Sequence, residues 1–255
     1  MAPYYGDNRK RHRIVFERDS NMGCVFCWQK ADTREHIPAK VFLIAPYPTN
    51  LQVIPSCEKC NNSYSKDELY SALLLELLKE KYVENYIISE NSLQRLEKYK
   101  EGNEAKVKVE ELIQSDSVFN DSRLEHVIEK FAICHAVHDF SGDFNIKSKR
   151  SIRYKILPDM TSEEIDAMDQ IEPLEILPEV GSIGYENIFV LDYKVQSESG
   201  EIYSIPVGIF ANWNDVQENN YRYICFIERG RINVKLVIGE FLFAHIIFGN
   251  RIKKR

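Results

Sequence analysis

The sequence predicts an α+β protein in which a metal-stapled N-terminal segment is followed by helices and then by a mainly antiparallel β-sheet region. Three observations support this order. Two Cys-x-x-Cys pairs bracket a polar, loop-rich stretch. Apolar residues then recur at helical spacing as far as Phe140. From Ser151 onward the chain is rich in Val, Ile, Tyr and Phe, with turn signals between the runs.

The first element is the pair of motifs Cys24-Val-Phe-Cys27 and Cys57-Glu-Lys-Cys60. Such paired spacings favour a metal over disulfides in a chain without a secretory signal. Four thiolates can surround one zinc ion tetrahedrally, and a zinc ion stabilises a segment that has little apolar core of its own. We therefore expect structural Zn²⁺ held by Cys24, Cys27, Cys57 and Cys60.

Helices are predicted where the apolar residues follow the helical period. The predicted helices are Lys66–Asn85, Ser92–Tyr99, Ala105–Ile113, Asp121–Phe140 and a short one opened by the capping-box pattern at Thr161 to Glu164. Asn120 is the expected N-cap of the fourth helix. The predicted strands are Leu51–Ile54, Arg153–Leu157, Ile188–Val195, Ile202–Phe210, Tyr221–Glu228 and Asn233–Ile238.

Length and pattern together predict two regions. We expect residues 1–85 to form the zinc-stapled domain and residues 86–255 to form an α+β accessory domain of unknown role, each with its own source of stability. No apolar run reaches the roughly 18 residues that cross a bilayer. The basic cluster Arg9–Arg13 is not followed by the apolar stretch of a signal peptide. A soluble, cytoplasmic protein without membrane contact is the expectation.

The charge distribution says more than the net charge of −6. Residues 1–66 hold ten Lys and Arg against six Asp and Glu, a charge of +4. The remainder holds 23 against 33, a charge of −10. This asymmetry marks the first segment, and Arg9–Arg13 within it, as the place where a polyanion could dock. Ordinary scatter of surface charge explains it equally well.

A second motif lies between the cysteine pairs. It runs Arg34-Glu35-His36-Ile37-Pro38, is followed by Asn50 and a short apolar strand, and ends in Cys60-Asn61-Asn62. The order Cys-x-x-Cys, acid-His-Ile-Pro, Asn and Cys-x-x-Cys-Asn resembles the HNH, or ββα-metal, endonuclease family. The resemblance covers about residues 20–70, a quarter of the chain. The ordered set is specific, whereas any single element of it would be weak.

The resemblance implies a role for each residue. His36 takes the position of the general base, which suits an imidazole with an unperturbed pKa of about 6.5. Glu35 and Asn61 correspond to ligands of a catalytic metal, and their oxygens suit Mg²⁺ or Mn²⁺. Asn50 matches the residue that braces the loop carrying the base. A hairpin and a helix hold one divalent ion in that family, and a bend lets the adjacent Glu35 and His36 both approach it.

Three features depart from the family pattern. The acid is Glu35, where Asp is commoner, and the last position is Asn61 instead of His. The Gly pair that often follows the His-Ile-Pro segment is missing, so the connecting loop must differ.

The sequence thus favours a metal-dependent HNH endonuclease that hydrolyses phosphodiester bonds of nucleic acid, with DNA preferred over RNA as its partner. The resemblance implies a role in bacterial restriction or anti-phage defence. Residues 86–255 would then set target choice, form a homodimer or bind a protein partner. The alternative is a non-catalytic zinc module that binds nucleic acid or protein, with His36 as an ordinary loop histidine.

Overall fold

The structure, a computed structural model, describes residues 23–114, 119–140, 150–170 and 188–249 of the 255-residue chain. Across these ranges it is an α+β fold with antiparallel sheets, which confirms the predicted class. The helices are α1 (Glu58–Tyr82), α2 (Glu90–Lys98), α3 (Lys100–Gln114), α4 (Ser122–Phe140) and α5 (Ser162–Asp169). The strands are β1 (Thr33–Ile37), β2 (Gln52–Ser56), β3 (Arg150–Ile156), β4 (Ile188–Gln196), β5 (Ile202–Ala211), β6 (Asn214–Gln217), β7 (Tyr221–Glu228), β8 (Arg231–Ile238) and β9 (Leu242–Phe248).

The N-terminal unit is a two-stranded hairpin followed by a long helix. β1 and β2 pair antiparallel, and α1 begins at Glu58, two turns before the predicted start at Lys66. The first turn of a helix has backbone N–H groups without partners inside the helix. Here the Cys57 sulfur accepts the N–H of Cys60 at 3.4 Å, and the Asp32 carboxylate accepts the N–H of Glu58 at 2.8 Å. These two contacts fix where α1 starts.

The larger sheet has five strands in the order β3-β9-β8-β7-β6, all antiparallel. Both of its faces are covered. Alternate residues of β7, from Tyr221 to Ile227, belong to the main core, whereas Ile224 and Phe226 belong to a second cluster that Met160 and Met168 cover. A strand buried on both faces reads as a nearly continuous apolar run, as β7 does. β4 and β5 form a separate two-stranded ribbon.

The main core is continuous from the N-terminal unit to the five-stranded sheet. It contains Ile37 and Ile54 of the hairpin together with buried residues of α1, α4 and the sheet. Phe42, after β1, packs edge-on against Phe131 of α4 with ring centroids 5.1 Å apart. Gln52 of β2 donates to the hydroxyl of Tyr223 in β7 at 2.8 Å. The main core thus contains residues from both sides of the boundary predicted at residue 85.

The ends of two helices test the capping predictions. α5 starts with a complete capping box between Thr161 and Glu164, as the sequence predicts. The predicted N-cap of α4, Asn120, is wrong by one residue. Asp121 caps α4, because its Oδ1 accepts the N–H groups of Arg123 and Leu124 at 3.0 and 2.9 Å. An aspartate is as good an N-cap as an asparagine, so the sequence pattern alone could not choose between them.

No helix in the described part of the chain combines the length and the apolar character that a bilayer span requires.

Candidate functional site

The four predicted metal-binding cysteines come together. Cys24 and Cys27 lie on a tight turn before β1, Cys57 caps α1, and Cys60 lies in its first turn. Their four sulfur atoms lie within 4.8 Å of one another, and Cys27 Sγ is 3.7 Å from Cys57 Sγ. A zinc–sulfur bond of about 2.3 Å in a tetrahedral site gives sulfur–sulfur distances of about 3.8 Å. The cluster could therefore hold a metal ion such as zinc.

The thiols of the cluster differ in their tendency to ionise. Burial opposes ionisation of Cys24, but backbone N–H groups near its sulfur outweigh burial and lower its pKa to about 7. The Gln29 backbone favours the thiolate of Cys27, yet desolvation and the nearby sulfurs leave the pKa of Cys27 raised. Burial and the other three sulfurs also raise the pKa of Cys60. A divalent cation among the sulfurs would stabilise all four as thiolates.

Metal analysis of the purified full chain should show about one zinc per molecule without added zinc. The reason is that the cluster offers one closed set of four sulfur ligands. Inductively coupled plasma mass spectrometry after dialysis gives the ratio. If the protein stays folded with far less than one equivalent of zinc, the N-terminal unit does not need zinc to fold.

The hairpin places Glu35 and His36 on β1. Glu35 pairs with Ile54 and His36 pairs with Val53 in regular register, so their side chains point to opposite faces of the hairpin. Burial agrees, since Glu35 is buried and His36 is half-buried. The bend expected at Pro38 follows the strand and does not lie between these two residues. β1 remains regular through Ile37, the chain bends at Pro38, and a short 3-10 helix follows at Lys40–Phe42.

Glu35 and His36 nevertheless line one cleft, with a volume of about 650 Å³. The cleft lies between β1, the segment after it, α1 and the α2–α3 junction. Besides these two residues its charged and aromatic lining consists of Lys40, Lys66, Glu68, Arg95, Tyr99 and Glu101. A histidine, two buried carboxylates, the half-buried Glu101 and a cationic rim thus share one concave surface.

Glu35 is held by an ion pair with a residue from another part of the chain. Its side chain is 5% exposed, and its Oε1 lies 3.0 Å from the ammonium of Lys130 on α4, which is 1% exposed. Lys130 also contacts Glu68 Oε1, so one ammonium bridges two carboxylates. Burial raises the pKa of Glu35, the charge of Lys130 opposes that rise, and the charge of Glu68 adds to it. For Lys130, burial disfavours the ammonium, but Glu68 and Glu35 outweigh burial and raise its pKa.

The second oxygen of Glu35 has a different environment. Oε2 is buried and has no hydrogen-bond partner in the described part of the chain. A buried carboxylate oxygen without a partner is costly, and in native proteins it points to a missing ligand, ion or water. Carboxylate oxygens are the ligands that Mg²⁺ and Mn²⁺ prefer, so this atom fits the divalent cation that the family resemblance implies.

The two predicted asparagines are not part of the cleft lining. The Asn61 side chain donates to Thr33 Oγ1 at 3.5 Å, and Thr33 lies two residues before Glu35 on the same face of β1. Asn61 therefore lies beside Thr33, which precedes Glu35 by one strand repeat of about 6.6 Å. Asn50 lies in the loop that enters β2, at the end of the hairpin where β1 finishes.

The sequence reasoning missed Glu68 and Lys130. Lys130 carries a signal that could have been used, because it lies one helical turn from Val127 and Cys134, on the apolar side of α4. A lysine on the buried face of a helix needs an acidic partner. Glu68 carries no such signal, since it follows Lys66 and Asp67 in an ordinary polar run.

Among the described residues, no other group of three or more His, Cys, Asp or Glu side chains brings its ligand atoms as close together as the four cysteines do. His135 packs inside the core instead, stacked on Tyr223 with ring centroids 3.5 Å apart and hydrogen-bonded to the Tyr221 hydroxyl at 2.9 Å. Cys134 and Cys225 are buried free thiols. The basic cluster Arg9–Arg13, predicted to contact phosphates, lies outside the described residues.

Comparison with known proteins finds no family model, no curated protein and no solved structure that matches this chain.

Proposed function

We propose that the chain is a metal-dependent endonuclease of the HNH type that hydrolyses phosphodiester bonds, with DNA as the favoured substrate. One observation carries the proposal. A β-hairpin and a helix, joined by a four-cysteine cluster, present Glu35 and His36 to the same cleft. Two of the residues that carry the family resemblance in sequence, Glu35 and His36, thus line one cleft beside this β-β-α unit.

The residues of the cleft have separable tasks in this reaction. His36 accepts the proton of the attacking water, a role that an imidazole side chain can fill near neutral pH. Glu35 binds the cation, and Asn61 beside the same face of β1 is its proposed second ligand. A bound Mg²⁺ or Mn²⁺ supplies a lowered pKa for the water and charge stabilisation at the phosphate. Asn50 supports the loop at the end of the hairpin.

The rim of the cleft suits a nucleic-acid backbone. Lys40 and Lys66 are exposed, Arg95 is half-buried, and all three line the cleft. Tyr99 lines it too and is 40% exposed, so its ring can stack on a base. Cations that neutralise phosphates supply most of the non-specific affinity of a nucleic-acid-binding protein.

Replacing Lys66 with Gln should weaken DNA binding and flatten its salt dependence. Loss of one phosphate contact reduces the slope of log K against log salt by about 0.9 for duplex DNA and about 0.7 for a single strand. Fluorescence anisotropy with a labelled duplex, over a series of NaCl concentrations, measures the slope. Lys81→Gln is the matched control, because Lys81 is exposed on the same helix but does not line the cleft. If Lys66→Gln and Lys81→Gln give equal slopes of log K against log salt, the DNA phosphates contact a surface other than this cleft.

The decisive experiment for the proposed function is nicking of a supercoiled plasmid by zinc-loaded protein in the presence of Mg²⁺ or Mn²⁺. Open-circular or linear product that requires the divalent ion supports the endonuclease. If the protein binds plasmid DNA and structured RNA but cuts neither, the endonuclease proposal is wrong. The chain is then better explained as a non-catalytic zinc module that binds nucleic acid.

That second candidate, a non-catalytic zinc module, has an observation in its favour. The Lys130 ammonium engages one oxygen of Glu35, and neither Asn50 nor Asn61 lines the cleft. A purely structural Glu35–Lys130 pair would produce this arrangement without any cation. Divalent-cation binding at Glu35 therefore discriminates between the two functions.

A further inference from the structure

We propose that Glu68 is a second carboxylate of the divalent-cation site at Glu35, with Lys130 as the buried counter-ion that holds the two carboxylates side by side. This inference rests on the proposed function and extends it, because neither residue belongs to the motif that suggested a nuclease. The ligand class is a hard divalent cation such as Mg²⁺ or Mn²⁺.

The first support is the convergence of three distant segments. Glu35 comes from β1, Glu68 from α1 and Lys130 from α4, and each is at least nine-tenths buried. Both carboxylates place an oxygen on the same ammonium. Two carboxylates that share one partner ion must lie close together, which is the arrangement that a divalent cation with two acidic ligands needs.

The second support is the unbalanced charge. With all three groups ionised, the cluster carries two negative charges against one positive charge. The Lys130 ammonium also lies 4.9 Å from the centre of the Tyr64 ring, which offers it a further favourable contact but no charge. A buried cluster with a residual negative charge attracts a cation strongly, since little water screens it.

The third support is a buried carboxylate oxygen that has no partner among the described residues. Glu35 is 4% exposed, and its Oε2 has no hydrogen-bond partner among the described residues. Glu35 and Glu68 both line the 650 Å³ cleft, whereas Lys130 does not. A cation that enters from the cleft therefore meets these two carboxylates before it meets the Lys130 ammonium. A cleft of this size also accommodates the waters that Mg²⁺ keeps when it binds through carboxylates.

The arrangement also assigns a task to α4. The hairpin and α1 supply the acids, but only α4 supplies the ammonium that positions them. The cation site is then complete only in the full chain, and residues after 85 are part of the catalytic unit instead of a separate accessory domain.

The test is Mn²⁺ binding to the zinc-loaded full chain, measured by the electron paramagnetic resonance signal of free Mn²⁺ without nucleic acid. Glu68→Gln should weaken Mn²⁺ binding by roughly 10- to 100-fold, at least the effect of losing a residue that supports a metal ligand. The variant should fold, because Lys130 keeps its ion pair with Glu35. Glu80→Gln is the matched control, since Glu80 is exposed on the same helix and does not line the cleft.

Glu35→Gln provides the complementary measurement, and Lys130 then keeps its contact with Glu68. Weaker Mn²⁺ binding in both cleft variants, with wild-type binding in Glu80→Gln, supports the shared site. Wild-type binding in Glu68→Gln overturns it, whether or not Glu35→Gln is impaired. Plasmid nicking is scored separately. Protein that binds Mn²⁺ through both acids but cuts no nucleic acid would refute the endonuclease and leave the cation site standing.

Discussion

Replacing Cys57 with Ser is expected to release the metal and to cost several kcal/mol of the free energy of unfolding. Cys57 has two roles, since its sulfur lies 3.7 Å from that of Cys27 and also accepts the N–H of Cys60 at the start of α1. Structural zinc contributes about 10–16 kcal/mol to the folding of isolated zinc-finger peptides. A loss of even a fraction of that is comparable to the total stability of a domain, about 5–15 kcal/mol.

The loss of stability in Cys57→Ser should extend beyond the N-terminal unit. Ile37, Phe42 and Ile54 share one core with α4 and the five-stranded sheet, so loss of the cluster loosens packing well beyond residue 85. Circular dichroism melts of Cys57→Ser and of chelated wild type should both show a lower Tm for the whole chain. Cys134→Ser is the matched control, because it places a hydroxyl in the core at a cost of about 1–3 kcal/mol but should keep one zinc. A Cys57→Ser variant with normal zinc content and normal Tm contradicts the expectation.

The fold could be predicted where local chemistry decides it. The α5 capping box and the strands β4, β5 and β7 follow from residues close together in sequence. α1 starts earlier than its apolar pattern, because the cap at Cys57 fixes its start and its first turns are polar. β9 was not predicted, although its apolar run is plain in the sequence. Periodicity alone does not separate such a run from a buried helical segment, and β7, which is also buried on both faces, could be recognised only because a turn signal at Arg229-Gly230 follows it.

In the candidate site too, the parts set by local sequence could be predicted, and the parts set by tertiary packing could not. The four-cysteine cluster could be predicted because each Cys-x-x-Cys pair fixes its own local geometry and the two pairs need only one meeting point. The bridge from Lys130 to Glu35 and Glu68 could not, because it depends on how α4 docks on the hairpin and α1. Such docking is decided by packing over the whole core. The regular register at Glu35 and His36 likewise can be seen only in the pairing with β2, and the bend at Pro38 comes after both residues.

Replacing His36 with Ala is expected to reduce cleavage by about 10²–10⁴-fold, the usual effect of losing a general base. Folding and metal content should change little, because His36 is half-buried and belongs neither to the core nor to the cysteine cluster. DNA binding should also persist, since the exposed cations of the cleft rim are untouched. Single-turnover nicking of supercoiled plasmid, with protein in excess, measures the chemical step without product release.

His126→Ala is the matched control, because that histidine is 44% exposed in its side chain and does not line the cleft. It should cut at the wild-type rate. Glu35→Gln and Asn61→Ala should lose activity that higher Mn²⁺ partly restores, since they weaken cation binding but leave the base in place. His36→Ala should not respond to Mn²⁺ in this way, because extra cation cannot replace a missing proton acceptor. Recovery of His36→Ala by Mn²⁺ would mean that His36 binds the cation, and unimpaired cutting by all three variants would move the activity to another site or another protein.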